Sequence, residues 1–105
     1  MVHHLLLLKL KPEVTPEKLE EMMRMTRAQL LRIPEVLSVK CGKRIDLNNE
    51  WPLFIGLDFE NMETVGFYHD HPLYLKFLTA VINPNVADKM TLNFEMEPGK
   101  DVTYS

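Results

Sequence analysis

Apolar residues crowd the first ten positions in a way that marks a strand with two greasy faces. From Val2 to Leu10, His4, Leu6, Leu8 and Leu10 fall on one side, with Leu5 and Leu7 on the other. Lys11-Pro12 ends the run. The period then lengthens. Leu19, Met23, Thr26, Leu30 and Ile33 recur at spacings of four and three, the mark of one buried helical stripe. Thr15 suits the N-cap, and Pro16 suits the first helical position, where its missing N–H costs nothing. Glu17, Glu20 and Glu21 precede Arg24, Arg27 and Arg32, an order that complements the helix dipole. Pro34 stops the helix.

Alternation returns twice. Val36 to Ile45 reads as a second strand, in which Leu37, Val39 and Cys41 alternate with Ser38 and Lys40. The stretch from Asp46 to Glu50 is a loop by composition. Leu53, Ile55, Leu57 and Phe59 alternate with Phe54, Gly56 and Asp58 in a third strand. Asn61 can cap a second helix, with Glu63 in its first turn and Met62, Val65 and Tyr68 or His69 on one side. Pro72 breaks that helix, because the residue before a proline is pushed out of helical geometry. A helical pattern resumes from Leu73 to about Ile82, with Tyr74, Phe77, Leu78 and Val81 inward, and Asn83-Pro84-Asn85 reads as a turn. Met90, Leu92, Phe94 and Met96 alternate with Thr91, Asn93 and Glu95 in a last strand, and residues 98–105 form a polar arm.

The order is strand, helix, strand, strand, helix, strand. That is the βαββαβ pattern of an α+β, ferredoxin-like domain, a four-stranded antiparallel sheet with two helices on one face. One domain spans residues 1–105. The helices leave a sheet face bare, and the sequence does not make that face polar. Leu6, Leu8, Phe54 and one row of the last strand are expected to have no cover within the chain. Bare apolar faces of several hundred Å² are unusual in monomers. Hiding about 500 Å² gains on the order of 10 kcal/mol per chain before association costs, so a homodimer is expected.

Charge and composition narrow the function classes. The 12 basic and 15 acidic residues leave a net charge of −3, with no basic footprint for nucleic acid. The apolar run Leu5–Leu8 is far below the roughly 20 residues of a membrane span, so no membrane partner is expected. One cysteine, Cys41, allows no internal disulfide and reads as a small core residue in a cytoplasmic protein. The four glycines are scattered, with no phosphate-cradling loop, and no cofactor is expected. His69-Asp70-His71 does not read as a metal site, because consecutive helical residues point about 100° apart. Asp58 and Glu60 share a face and read as solvated. The methionines read as packing, and Trp51 as a cap over the loop before the third strand.

Three stretches carry a resemblance. They are Val2-His3-His4 leading into the apolar strand, Ile33-Pro34-Glu35-Val36, and Phe59 to Thr64 leading into Tyr68-His69-Asp70-His71-Pro72. The chain resembles the stress-responsive A/B barrel (Dabb) family over nearly its whole length. The resemblance implies two ferredoxin-like subunits packed sheet on sheet as a dimeric α+β barrel. Relatives include boiling-stable plant stress proteins and a plant polyketide cyclase that closes its substrate with a histidine base and a tyrosine. By position, that tyrosine corresponds to Tyr68, a second pocket histidine to His4, and the His-Pro histidine to His71. The base position holds Tyr74, whose ordinary pKa near 10 makes it a poor base at neutral pH. The cyclase's own reaction is therefore not expected.

Two readings follow. In the first, His4, Tyr68 and His71 act on a small apolar or aromatic carbonyl compound held by Tyr74, Phe54 and Leu6. In the second, the protein is a non-catalytic stress-responsive binding or structural dimer. An enclosed cavity faced by His4 or His71 favours the first, and a filled interior favours the second.

Overall fold

The computed structural model describes residues 1–102, so residues 103–105 of the expected polar arm lie outside the described residues. The elements in order are β1 (Val2–Leu10), α1 (Pro16–Leu30), β2 (Ser38–Lys43), β3 (Leu53–Phe59), α2 (Met62–Asp70), α3 (Pro72–Phe77), a π turn (Leu78–Ile82), α4 (Asn83–Asn85) and β4 (Val86–Glu95). A short 3₁₀ turn, Pro98–Lys100, follows. The four strands form one antiparallel sheet in the order β2-β3-β1-β4, the ferredoxin-like arrangement.

Local chemistry sets the helix ends. Thr15 Oγ1 accepts the Lys18 N–H at 3.1 Å, with Pro16 in the first turn. Asn61 and Thr64 exchange hydrogen bonds in a capping box at the start of α2. At Pro72 the helix divides as expected: His71 is extended, at φ −71° and ψ 134°, and separates α2 from α3.

Several boundaries differ from the pattern reading. α1 stops at Leu30, and Ile33 is buried from the turn beyond it, where its N–H donates to Leu30 O. Met22 joins the buried stripe, whereas Leu19 is only half-buried. β2 is shorter than Val36–Ile45 at both ends. Asn83-Pro84-Asn85 is helical rather than an open turn, and β4 begins directly after it.

Directly paired residues of an antiparallel sheet share a face, so the register sorts the side chains. Val2, His4, Leu6 and Leu8 pair with Phe59, Leu57, Ile55 and Leu53, and this set lies under the helices. Leu5 and Leu7 pair with Gly56 and Phe54 on one side and with Leu92 and Met90 on the other. This corrects the expectation that Leu6 and Leu8 lie on the bare face. Leu8 is fully buried in the core, and the period-two alternation of β1 gives the bare face to Leu5 and Leu7 instead. Phe54 does lie on that face. Met90, Leu92 and Phe94 there are 42%, 37% and 50% exposed, which leaves an apolar surface that the described residues do not cover.

Candidate functional site

Where β1 and β3 meet α2 and α3, five rings come together. His4 is buried on the helix side of β1, edge-on to Phe59 at 5.9 Å and to Tyr68 at 6.1 Å between ring centroids. Tyr68, the buried residue of the last turn of α2, lies 5.1 Å from Phe59 and 4.5 Å from Tyr74. His69 closes the group, 5.4 Å from both His4 and Tyr74. The break at Pro72 makes this possible. It turns the chain so that a residue of α3, Tyr74, folds back onto the end of α2.

Hydrogen bonding fixes the chemical state of these groups. His4 Nδ1–H donates to Asn93 Oδ1 across the sheet at 2.6 Å, which leaves Nε2 with its lone pair. Burial lowers the His4 pKa, so the ring is neutral near pH 7. Burial raises the Tyr68 hydroxyl pKa far above its ordinary range, and Tyr74 beside it adds to the shift. Burial raises Tyr74 as well. His69 is lowered, first by burial and then by the charges of His4 and Lys89, against the opposing pull of Asp70. Both phenols are therefore O–H donors, and His4 Nε2 is an acceptor. The Tyr68 hydroxyl is buried and has no hydrogen-bond partner among the described residues.

The structure brings His4, Tyr68 and Tyr74 together, with Leu6 one step along the same face of β1. It places the other two expected residues elsewhere. His71 Nδ1 accepts the Leu73 N–H at 3.1 Å and caps α3. Phe54 lies on the opposite face of the sheet from His4, because it alternates with the inward Leu53 and Ile55; it does not line this cluster. Asn93 and His69 were not singled out as site residues. Asn93 pairs with His4 only through the register of β4, which local pattern does not reveal.

A second polar group occupies the bare face. His3 Nδ1–H donates to Asp58 Oδ1 at 2.6 Å, and Ser38 Oγ–H donates to Asp58 Oδ2. Burial alone would raise the Asp58 carboxyl, but the hydrogen bonds from Ser38 and His3 outweigh it and hold the pKa below the usual range. Asp58 is thus tied to two neighbours and is not the solvated carboxylate expected. Trp51 stacks under Lys9, whose Nζ is 4.9 Å from the ring centroid. Cys41 is half-buried, and burial raises its thiol pKa.

Among the described residues, the surface hollows include two of a few hundred Å³. One of about 360 Å³ lies between the start of α1 and the segment after β2, against Leu10, Val14, Leu19 and Leu47. The other, of about 260 Å³, lies beside the end of the π turn and the start of β4, against Ile82, Val86 and Lys89. His4, Tyr68 and His71 line neither.

Residues 2–96 match the model of the Stress responsive A/B Barrel Domain family. The chain belongs to that family. Dabb membership agrees with the likeness to solved structures. A protein of Arabidopsis thaliana superposes with a TM-score of 0.82 at 23% identity, covering 99% of this chain and 100% of the other. A dimeric ferredoxin-like protein of unknown function from Thermobifida fusca gives 0.79 at 24%, covering 90% of each chain. A hydroxynitrile lyase from Passiflora edulis gives 0.77 at 16%, covering 91% and 93%. At these identities the likeness shows the Dabb fold alone. No curated protein matches the chain. No helix among the described residues is long and apolar enough to cross a membrane.

Proposed function

We propose that this Dabb protein is a cytoplasmic homodimer that binds a small apolar carbonyl compound beside His4 and Tyr68. The observation that carries the reading is the Tyr68 hydroxyl, buried and without a partner. An unsatisfied buried hydroxyl costs roughly 1–3 kcal/mol, and a ligand oxygen that accepts its proton would recover that cost. His4 Nε2 stands in the same cluster as a neutral acceptor. A carbonyl oxygen hydrogen-bonded to Tyr68 O–H, with an adjacent C–H near His4 Nε2, is the arrangement needed for proton abstraction next to a carbonyl. His71 serves the scaffold here, since its Nδ1 is used in capping α3. The uncovered row of Leu5, Leu7, Phe54, Met90, Leu92 and Phe94 supports the dimer.

One observation favours the second reading, a non-catalytic dimer. The ring cluster is close-packed, and the two hollows lie away from it. The readings separate in a titration. Acetophenone, added to the purified protein, is expected to shift the ring proton signals of His4 and Tyr68 in NMR spectra, and Tyr68→Phe is expected to lose that response. Wild-type spectra that do not respond would leave the non-catalytic reading standing. Sedimentation of the same sample checks the dimer.

A further inference from the structure

The hollow of about 360 Å³ stands at the far end of β1 from His4 and is independent of the ring cluster. Its floor is aliphatic. Leu10 ends β1, Val14 leads into α1 and Leu19 lies on α1; all three are half-buried and pack against the core. The segment between β2 and β3 forms the opposite wall, where Leu47 is 83% exposed. A leucine so exposed draws almost nothing from folding, yet it borders a concave apolar surface within the size range of small-molecule sites. Among the described residues no aromatic ring lines the hollow, so the floor suits an alkyl chain and offers no surface for stacking.

Charge at the rim is one-sided. Lys43, the last residue of β2, and Arg44 after it border the hollow, and among the described residues no acidic side chain does. Lys43 is already paired, with its ammonium 2.6 Å from a Glu20 carboxylate oxygen. Arg44 has no ion-pair partner among the described residues. Its backbone N–H donates to Pro52 O at 3.0 Å and its Nη1–H to Asn49 O at 2.8 Å, so both its backbone and its side chain are tied into the loop. A planar guanidinium held by one nitrogen keeps its other N–H donors for a carboxylate, and less side-chain freedom is left to lose. Thr15 also borders the hollow; its Oγ1 accepts the Lys18 N–H, which leaves the hydroxyl proton for a second acceptor.

We propose that this hollow is a second binding site, which takes a medium-chain aliphatic carboxylate with its chain against Leu10, Val14, Leu19 and Leu47 and its head group on Arg44. The apolar floor supplies most of the affinity, and the uncompensated guanidinium selects the charge. The pair lies at an open rim, so the selection is modest, about fivefold over a neutral head group.

Octanoate and octanol test this, since they share a chain and differ in the head group. Each is titrated into the full chain at neutral pH, and binding is read from the methyl signals of Leu10, Val14, Leu19 and Leu47 in NMR spectra. Both probes should move those signals, with octanoate binding about fivefold more tightly and losing its advantage as salt is added. Arg44→Gln should abolish the preference and leave the affinity for octanol unchanged. Lys40→Met, on the other face of the sheet, should keep the preference, and Leu47→Asn should weaken both probes. Equal affinity for the two probes, or a preference that survives Arg44→Gln, overturns the role of Arg44. Methyl signals that move with neither probe overturn the site itself, as do shifts centred on the His4 and Tyr68 rings or on Leu5 and Leu7 instead.

Discussion

The two faces of the central strands treat polar groups in opposite ways. On the helix side, His4 and Tyr68 are buried among aromatic rings, uncharged, and one hydroxyl has no partner. On the bare side, His3, Asp58 and Ser38 form a connected chain in which the carboxylate accepts two hydrogen bonds. The adjacent histidines His3 and His4 differ only in parity along β1, yet one joins a hydrogen-bonded network around a carboxylate and the other a desolvated cluster. Buried polar groups that are fully paired serve structure, whereas an unpaired one is a cost that folding alone does not explain. On that contrast, the proposed chemistry lies under the helices and the proposed assembly surface on the open side.

The sharpest break of this contrast is a charge placed on each face in turn. Leu8→Lys puts an ammonium into the core, where it has no partner and no route to water, so the protein is expected not to fold. Leu7→Lys, one residue away on the bare face, is expected to leave the fold intact and to split the dimer. Circular dichroism melts and sedimentation velocity read the two outcomes. A folded Leu8→Lys protein would mean that the assignment of faces is wrong. A Leu7→Lys protein that stays dimeric would place the interface elsewhere.

The assignment of faces also shows where the sequence is legible. The strand and helix pattern was readable because each element carries a strong period, and because Thr15, Pro16, Asn61 and Pro72 punctuate it with side-chain chemistry. The two rows of β1 were separable, but both are apolar, so nothing local said which row the helices cover. Local pattern alone therefore sets Leu6 and Leu8 on the bare side, and the sheet register reverses it. Part of the candidate cluster is legible as well. His4, Tyr68 and Tyr74 converge, and His71 stands at the helix break. Its partners were not legible, because Asn93 on His4 and Asp58 on His3 are separated in sequence by 89 and 55 positions. Such pairs are set by strand register, which depends on the whole sheet.

Smaller substitutions sharpen the comparison by giving effects of opposite sign. Tyr68→Phe removes the unpaired hydroxyl and keeps the ring packing on Phe59 and Tyr74. It is expected to raise stability by about 1 kcal/mol, because the desolvation cost disappears. Asp58→Asn removes the charge and turns one of the two acceptor oxygens on the bare face into an NH2 donor, so one of the two hydrogen bonds is lost. It is expected to lower stability by up to about 1 kcal/mol, discounted because the pair is partly exposed. Urea unfolding of the two variants reads both. A loss of stability in Tyr68→Phe would show that its hydroxyl is satisfied in solution, and would remove the main support for a ligand there.

The smallest expected effect is in pH, and its sign follows from His4. Burial lowers the pKa of His4 in the folded protein below the ordinary value near 6.5. Below that value the unfolded chain binds a proton that the folded chain resists, so acid favours unfolding. The stability tied to His4 is fully present above about pH 6.5 and is lost as the pH falls through its lowered folded pKa. His69 is shifted the same way and adds to the slope, but its greater exposure makes its share smaller. Asp58 also loses its contribution in acid, but in a lower window, beneath the ordinary carboxylate range near 3.9. The two faces therefore titrate apart. Melting temperatures measured from pH 7.5 to 5 are expected to fall by a few degrees in the wild type. His4→Gln, which can keep a donor toward Asn93 without a titrating ring, should flatten that segment and leave the steeper loss below pH 4. Asp58→Asn should do the reverse. A wild-type melt that does not change between pH 7.5 and 5 would mean that His4 takes up its proton without cost, so that the cluster is open to water rather than sealed by the helices.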